Sequence, residues 1–378
     1  MSKPPHVLLV AGESSGDLRG AELVRALRQR MPDLRVSGVG GDRLRAEGME
    51  ILVPAEALSI MGLTEVLGQG GTILRSYRKI RRAILGKDGA RPDLVILIDF
   101  PDFNLRLAGV AKRHRIPVFY YVSPQVWAWR RYRIGTLARR VDRLAVVFPF
   151  EEELYRGLTQ VEFVGHPALE TVRAEKDRGA VRAELGVADD ERLVALLPGS
   201  RRAEIAELLP VMQGALAEQA KVRGVIALAS EELRVATEAL ADPDLSILAG
   251  RTWDLVAAAD LVLLSSGTAT LETALLGTPM VVAYRLSPLS FAIAKRLVQV
   301  DHIAMPNLIL ERRAVPELVQ DEVTVARMAG EARAILEDPS RTSRMREDLA
   351  LVREKLGRPG AAARAAEIAV EMLGGRRE

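Results

Sequence analysis

Short β-branched runs alternate with longer Ala/Leu/Arg segments along this chain, and the alternation starts twice. HVLLVA (6–11), DLRVSGVG (33–40), PDLVILID (92–99), IPVFYYVSP (116–124), DRLAVVFPF (142–150) and QVEFVG (160–165) form the first series. Several are apolar throughout, which is what a strand covered on both faces requires. The segments between them, such as SGDLRGAELVRALRQR, carry helical spacing. This pattern predicts βαβ units and a mostly parallel sheet. A second series follows: RLVALLPGS (192–200), VRGVIALAS (222–230), LSILAG (245–250), DLVLLSS (260–266) and PMVVAYR (279–285).

The break falls at VGHPALETVRAEKDRGAV, close to His166-Pro167, where strand spacing gives way to a charged helix. With 378 residues the chain is long enough for two domains of roughly 100–200 residues each. The expected architecture is α/β: two Rossmann-like domains, 1–167 and 168–355, with a cleft between them where ligands bind at strand carboxyl ends. The last stretch is helical, interrupted by Gly-Arg-Pro-Gly, and residues 356–378 have the form of a terminal helix that can pack back onto the first domain.

Composition narrows the chemistry. The chain has no cysteine, which excludes disulfides, thiolate nucleophiles and cysteine-bound metal. Four scattered histidines make no metal cluster, and no metal or other cofactor is expected. The excess of 53 Lys+Arg over 50 Asp+Glu is 3, so global charge does not point to nucleic acid. No uninterrupted apolar run reaches the roughly 18 residues of a membrane span. Val7 to Ala11 is too short for a signal peptide. The expectation is a soluble or surface-bound protein.

Two stretches in the second half suit a nucleotide. LLPGSRRAEI (196–205) runs from strand through a tight turn into a helix, where free N–H groups favour an anion. Gly199, Ser200, Arg201 and Arg202 are the candidate contacts, the arginines by their fork geometry. A plain helix start with solvated arginines is the alternative. SSGTATLETALLGTPMV (265–281) repeats the arrangement. Ser266, Gly267, Thr268 and Ala269 let a diphosphate approach the backbone. Glu272 lies one turn beyond Thr268, on the same face, placed for the hydroxyls of a ribose. A helix-dipole acid would look the same. GxxxxGK[ST] and GxGxxG are both absent, which disfavours ATPase and dinucleotide readings. Asp242-Pro-Asp244 reads as a turn.

The first half offers hydroxyl-binding groups. AGESSGD (11–17) resembles a phosphate loop but carries two acids, so Gly12, Glu13, Ser15, Gly16 and Asp17 suit a hydroxyl or amide ligand. Asp17 as a helix cap is the equal alternative. In LIDFPDFNLR, Asp99 stands at the end of a buried strand, where desolvation favours a general base. Asp102 is a natural cap or turn acid. Residues 58–85 place Met61, Leu63, Val66, Leu67, Ile73 and Leu74 beside Arg75, Arg78, Lys79, Arg81 and Arg82. Such a pairing marks contact with a lipid surface, or a packed helix with a solvated basic face. Trp127, Trp129 and Tyr132 among arginines suit RNA stacking, a headgroup interface or a dimer surface.

GESSGD, GVGGDRLRAEG, MGLTEVLG, DFPDFN, YYVSPQVWAW, PFE, VGHP, LLPGSR, SSGTATLE, MPNLI and VPELVQ occur in this order. The ordered set resembles the lipid-A-disaccharide synthases, inverting glycosyltransferases of the GT-B architecture. The resemblance implies UDP-2,3-diacylglucosamine as donor and 2,3-diacylglucosamine 1-phosphate as acceptor. It implies a β-1′,6-linked disaccharide 1-phosphate product in lipid A biosynthesis, with release of UDP. Asp99 matches the base for the acceptor 6-hydroxyl, Arg201 and the 265–272 motif the UDP site, and Asn307 a polar residue near the reacting groups. The implied place is the cytoplasmic face of the inner membrane, held peripherally on phospholipid, with a homodimer allowed and nucleic acid not a partner. Rivals are another UDP-sugar GT-B enzyme, such as an epimerase or peptidoglycan-type transferase, and a non-catalytic nucleotide-sugar or lipid-binding protein.

Overall fold

The computed structural model describes residues 4–59, 66–126, 131–286, 291 and 301–375, with side chains from 59 to 70 and at 131 left aside. The chain divides into two units. One comprises residues 1–167 and 357–378, the other residues 168–356.

In the first unit the strands are β1 (His6–Ala11), β2 (Arg35–Gly40), β3 (Glu50–Pro54), β4 (Leu94–Ile98), β5 (Val118–Tyr121), β6 (Arg143–Val146) and β7 (Gln160–Phe163). They form a parallel sheet in the order β3-β2-β1-β4-β5-β6-β7. The central strands β1 and β4 are buried along their whole length, which explains their unbroken apolar sequences. The helices that matter below are α1 (Ser14–Arg30), α2 (Asp42–Ala46), α3 (Val66–Ile84) and α4 (Pro101–Arg113).

The second unit holds β8 (Arg192–Leu197), β9 (Val222–Leu228), β10 (Ser246–Ala249), β11 (Leu261–Ser265), β12 (Met280–Tyr284) and β13 (Glu317–Val319). Their order is β10-β9-β8-β11-β12-β13, again parallel. Its relevant helices are α5 (Arg202–Ala217), α6 (Thr252–Ala258), α7 (Thr268–Leu275) and α8 (Met305–Leu310). In both sheets the strand order reverses beside the first strand of the series. In folds of this kind ligands bind beside the carboxyl ends of the strands at such a reversal.

The final helix, α9 (Ala361–Gly374), belongs to the first unit. Its buried alanines, Ala361, Ala365, Ala366 and Ala369, let it lie close to α1. Arg30 pairs with Glu367 at 2.6 Å and Arg143 with Glu371 at 2.7 Å. Arg364 donates to the carbonyl of Val164 through Nε (2.8 Å) and Nη2 (2.6 Å), fixing the return of the chain beside the point where it left.

Gly38 shows how tightly the first sheet is built. Its φ is +146°, and a Cβ there would lie 1.9 Å from the carbonyl oxygen of Leu9 in the neighbouring strand. The β2–β3 register shifts at this point. Gly38→Ala is expected to destabilise the fold by roughly 2–4 kcal/mol through backbone strain and overpacking. The midpoint of urea unfolding measures it; an unchanged midpoint refutes this account of the glycine.

Candidate active site

In the first unit, β4 runs out of the sheet at Ile98 and the chain turns sharply into α4. Asp99 (φ +43°) and Phe100 (φ +48°) both adopt the left-handed conformation, which is costly for residues other than glycine. The turn is held from behind. Asn104, fully buried, donates from Nδ2 to the carbonyls of Ile98 (3.1 Å) and Asp99 (2.8 Å), and the Tyr120 hydroxyl also donates to the Asp99 carbonyl. Strain of this kind persists where the surroundings over-determine it.

The side chain so displayed is a perturbed acid. Burial, and then the negative charge of Glu13, push the Asp99 carboxyl up to about 6, against a hydrogen bond from the Phe100 N–H that favours the anion. Glu13 is exposed at the end of β1. The two loops meet at Gly12, where a Cβ would sit 2.6 Å from the Phe100 ring. GESSGD and DFPDFN therefore form one surface.

Of the two readings of Asp17, ligand contact and helix cap, the structure corrects the first and bears out the second, on α2 in place of α1. Asp17 is buried in α1, and its oxygens accept from the backbone N–H groups of Gly41 (2.6 Å), Arg43 (3.1 Å) and Leu44 (3.3 Å). Its carboxylate caps α2 and is committed to the fold. Ser15 is exposed and Gly16 buried in the first turn of α1, while Gly12 lies against Phe100 and the charge of Glu13 bears on Asp99. Asp102, in the first turn of α4, pairs with Arg133.

The second unit contains a cavity of about 760 Å³. It is walled by the turn after β8, the end of β9, the start of α6 and the β11–α7 loop. Gly199 has φ +127°, and a Cβ would come within 2.4 Å of Glu204 Oε2. Gly267, at φ +154° before α7, has open space where a Cβ would be, so its backbone can be approached closely. Gly199, Ser200, Arg201, Ser266, Gly267, Thr268, Ala269 and Glu272 all line this cavity. Glu272 Oε2 accepts from Trp253 Nε1 at 3.1 Å.

Three features were not legible in the motifs. Arg202 begins α5 and does not line the cavity, in contrast to the expectation for it. Glu204 does line it; its Oε2 accepts from the Ser200 N–H (2.9 Å) and its Oε1 from Arg201 Nη1 (2.8 Å). An acid on the third residue of α5 thus satisfies part of the helix start. Arg173, Arg251 and Trp253 also line the wall, from segments that carried no motif.

Asn307 is a second correction. It is fully buried, with Nδ2 donating to the Val315 carbonyl and to Glu317 Oε1 (2.9 Å each). Its Oδ1 accepts from the N–H groups of Ala314 (2.7 Å) and Val315 (2.9 Å). An amide with both donors and its oxygen engaged has no capacity left for a reacting group.

Among the other expected contacts, Met61, Leu63, Trp127 and Trp129 lie outside the described residues, as do the side chains of Val66 and Leu67. Ile73 is partly buried and packs against the core. Leu74 is 45% exposed, and Arg75, Arg78, Lys79, Arg81 and Arg82 are exposed on the same helix. Among the described residues no helix is long and apolar enough to cross a membrane, and no acid or histidine cluster suits a metal. Asp242 Oδ1 accepts from the Asp244 N–H at 3.0 Å, an Asx turn.

A family model described as lipid-A-disaccharide synthetase matches residues 7–372. A lipid-A-disaccharide synthase of Syntrophus aciditrophicus is 46% identical over 376 residues, covering 97% of each chain. The chain belongs to the lipid-A-disaccharide synthase family. Its activity is the glycosyl transfer that makes the lipid A disaccharide. Two solved structures show the wider fold. A putative UDP-N-acetylglucosamine 2-epimerase from Listeria monocytogenes matches with a TM-score of 0.64 at 14% identity, over 99% of this chain and 97% of its own. MurG of Acinetobacter baumannii matches with a TM-score of 0.60 at 17% identity, over 97% of this chain and all of its own. The family member described here therefore has the GT-B fold, and its likeness to an epimerase is one of fold alone.

Proposed function

We propose that this synthase transfers the sugar of UDP-2,3-diacylglucosamine to the 6-hydroxyl of 2,3-diacylglucosamine 1-phosphate, with inversion. The acceptor oxygen bonds to the anomeric carbon, the bond to the diphosphate breaks, and UDP departs. Asp99 takes the hydroxyl proton. The observation that carries this reading is the Asp99 carboxyl itself, held on a strained turn and raised to about 6. A base of that strength is half ionised near pH 6 and mostly ionised at neutral pH, yet more basic than an ordinary carboxylate. Gly12 and Glu13 lie beside it and suit the acceptor's polar groups.

The donor's UDP occupies the cavity of the second unit. Its diphosphate lies on the Gly199–Arg201 turn and the Ser266–Ala269 loop, where helix starts and the Arg201 guanidinium offset growing negative charge. Glu272 takes the ribose hydroxyls. Acylated substrates reside in a lipid surface, and the exposed basic residues of α3, with Leu74, suit peripheral binding to anionic phospholipid on the cytoplasmic face of the inner membrane.

Mass spectrometry of the product decides the substrate pair. A diacyl donor and a diacyl 1-phosphate acceptor should yield a tetraacyl disaccharide 1-phosphate and one UDP per linkage. Turnover of UDP-N-acetylglucosamine alone, with no lipid acceptor, would contradict the proposal.

A further inference from the structure

Two motifs have no part in the chemistry above, MPNLI and VPELVQ. The fold brings them together. Glu317, the first residue of β13, has a side chain only 10% exposed. Its Oε1 accepts from the backbone N–H groups of Ile303 (3.1 Å) and Ala304 (2.7 Å) and from Asn307 Nδ2 (2.9 Å). Three donors converging on one oxygen call for a carboxylate, whose charge strengthens each bond. At the far end of the motif, Gln320 grips Leu286 twice: Oε1 accepts from its N–H (2.6 Å) and Nε2 donates to its carbonyl (3.0 Å).

The turn fixed by Glu317 touches the cavity loop at two points. Ser266 Oγ donates to the Ile303 carbonyl at 3.0 Å. The Met305 N–H donates to Thr270 Oγ1 (3.2 Å), whose hydroxyl donates to the Gly267 carbonyl (2.8 Å). Both routes end on the backbone that surrounds Gly267. Ser266 therefore turns its hydroxyl to the 303–307 turn, and its contribution to the cavity comes through its position.

We infer that Glu317 is a positioning residue of the donor site, holding the Gly267 loop in its receiving geometry through the 303–307 turn and Ser266. The inference rests on the cavity being the UDP site. Asn307 belongs to the same hub, which gives a buried amide a role without contact with substrate. A carboxylate serving only stability would affect unfolding and leave ligand affinity alone. One acting through Ser266 must couple to it, because residues in one hydrogen-bond network give non-additive effects.

The test is calorimetric titration of the full chain with UDP, for the parent, E317Q, S266A and the double variant, well below their melting temperatures. E317Q should weaken UDP binding roughly 10-fold and S266A roughly 3- to 10-fold. The double variant should bind no worse than about E317Q alone, since E317Q already loosens the turn on which the Ser266 link depends. A parent that binds UDP alongside an E317Q variant within twofold of it overturns the inference alone, as do losses that multiply. A parent that fails to bind UDP overturns the donor-site reading and this inference with it. Should E317Q not fold, S266A carries the test, because it cuts the link and leaves the hub intact; unchanged affinity then counts against the inference.

Discussion

Asp99→Asn is expected to lower kcat by roughly 10²- to 10⁴-fold while leaving the affinity for UDP unchanged. The amide is nearly isosteric and can keep the turn, but it cannot take a proton. The cavity assigned to UDP is formed by residues of the other unit, so binding and turnover should separate. Steady-state kinetics beside calorimetric UDP titration measures both, and a variant that turns over like the parent removes Asp99 from the role of base. The pH profile offers an independent check. Burial and Glu13 both disfavour the anion, which is the form a base needs, so activity should fall as pH drops through about 6. Glu13→Gln removes one of the two causes. It should move that inflection to lower pH without abolishing it, because burial, the larger cause, remains.

Arg201→Ala is expected to cost roughly 10²- to 10³-fold in kcat, the usual effect of deleting one group that stabilises transition-state charge. Its side chain is 79% exposed and its guanidinium paired with Glu204. Exposed ion pairs contribute little, so scant free energy opposes an exchange of Glu204 for a phosphate. Arg201→Lys should recover only part of the loss, since a lysine is a point charge without the fork. A rise in donor KM with kcat unchanged would instead mean that Arg201 binds the ground state and the transition state equally.

The central strands were legible because burial on both faces leaves them uniformly apolar. Two of the edge strands were not. β3 is half exposed and begins with Glu50, while β13 spans only Glu317 to Val319 and follows a proline. Neither carries enough periodicity to stand out from a loop. Asp99 was legible as an acid ending an apolar run. Its left-handed turn was not, because the groups that enforce it, Asn104 and Tyr120, act through side chains on two other elements. Asp17 looked like a ligand residue because its partners, Gly41 to Leu44, lie at the start of a separate helix, α2. Asn307 misled in the same way. A motif marks that an amide is needed, and only packing shows whether it faces a substrate or four groups of its own chain.

The placement of α9 sets an order of events during synthesis. Residues 168–356 form a contiguous unit that has everything it needs once they have left the ribosome. The amino-terminal unit lacks the cover over α1 until the last helix emerges. The half made first is thus the last that can close: α1 waits without the helix that packs on its outer side, while the half made second is already complete.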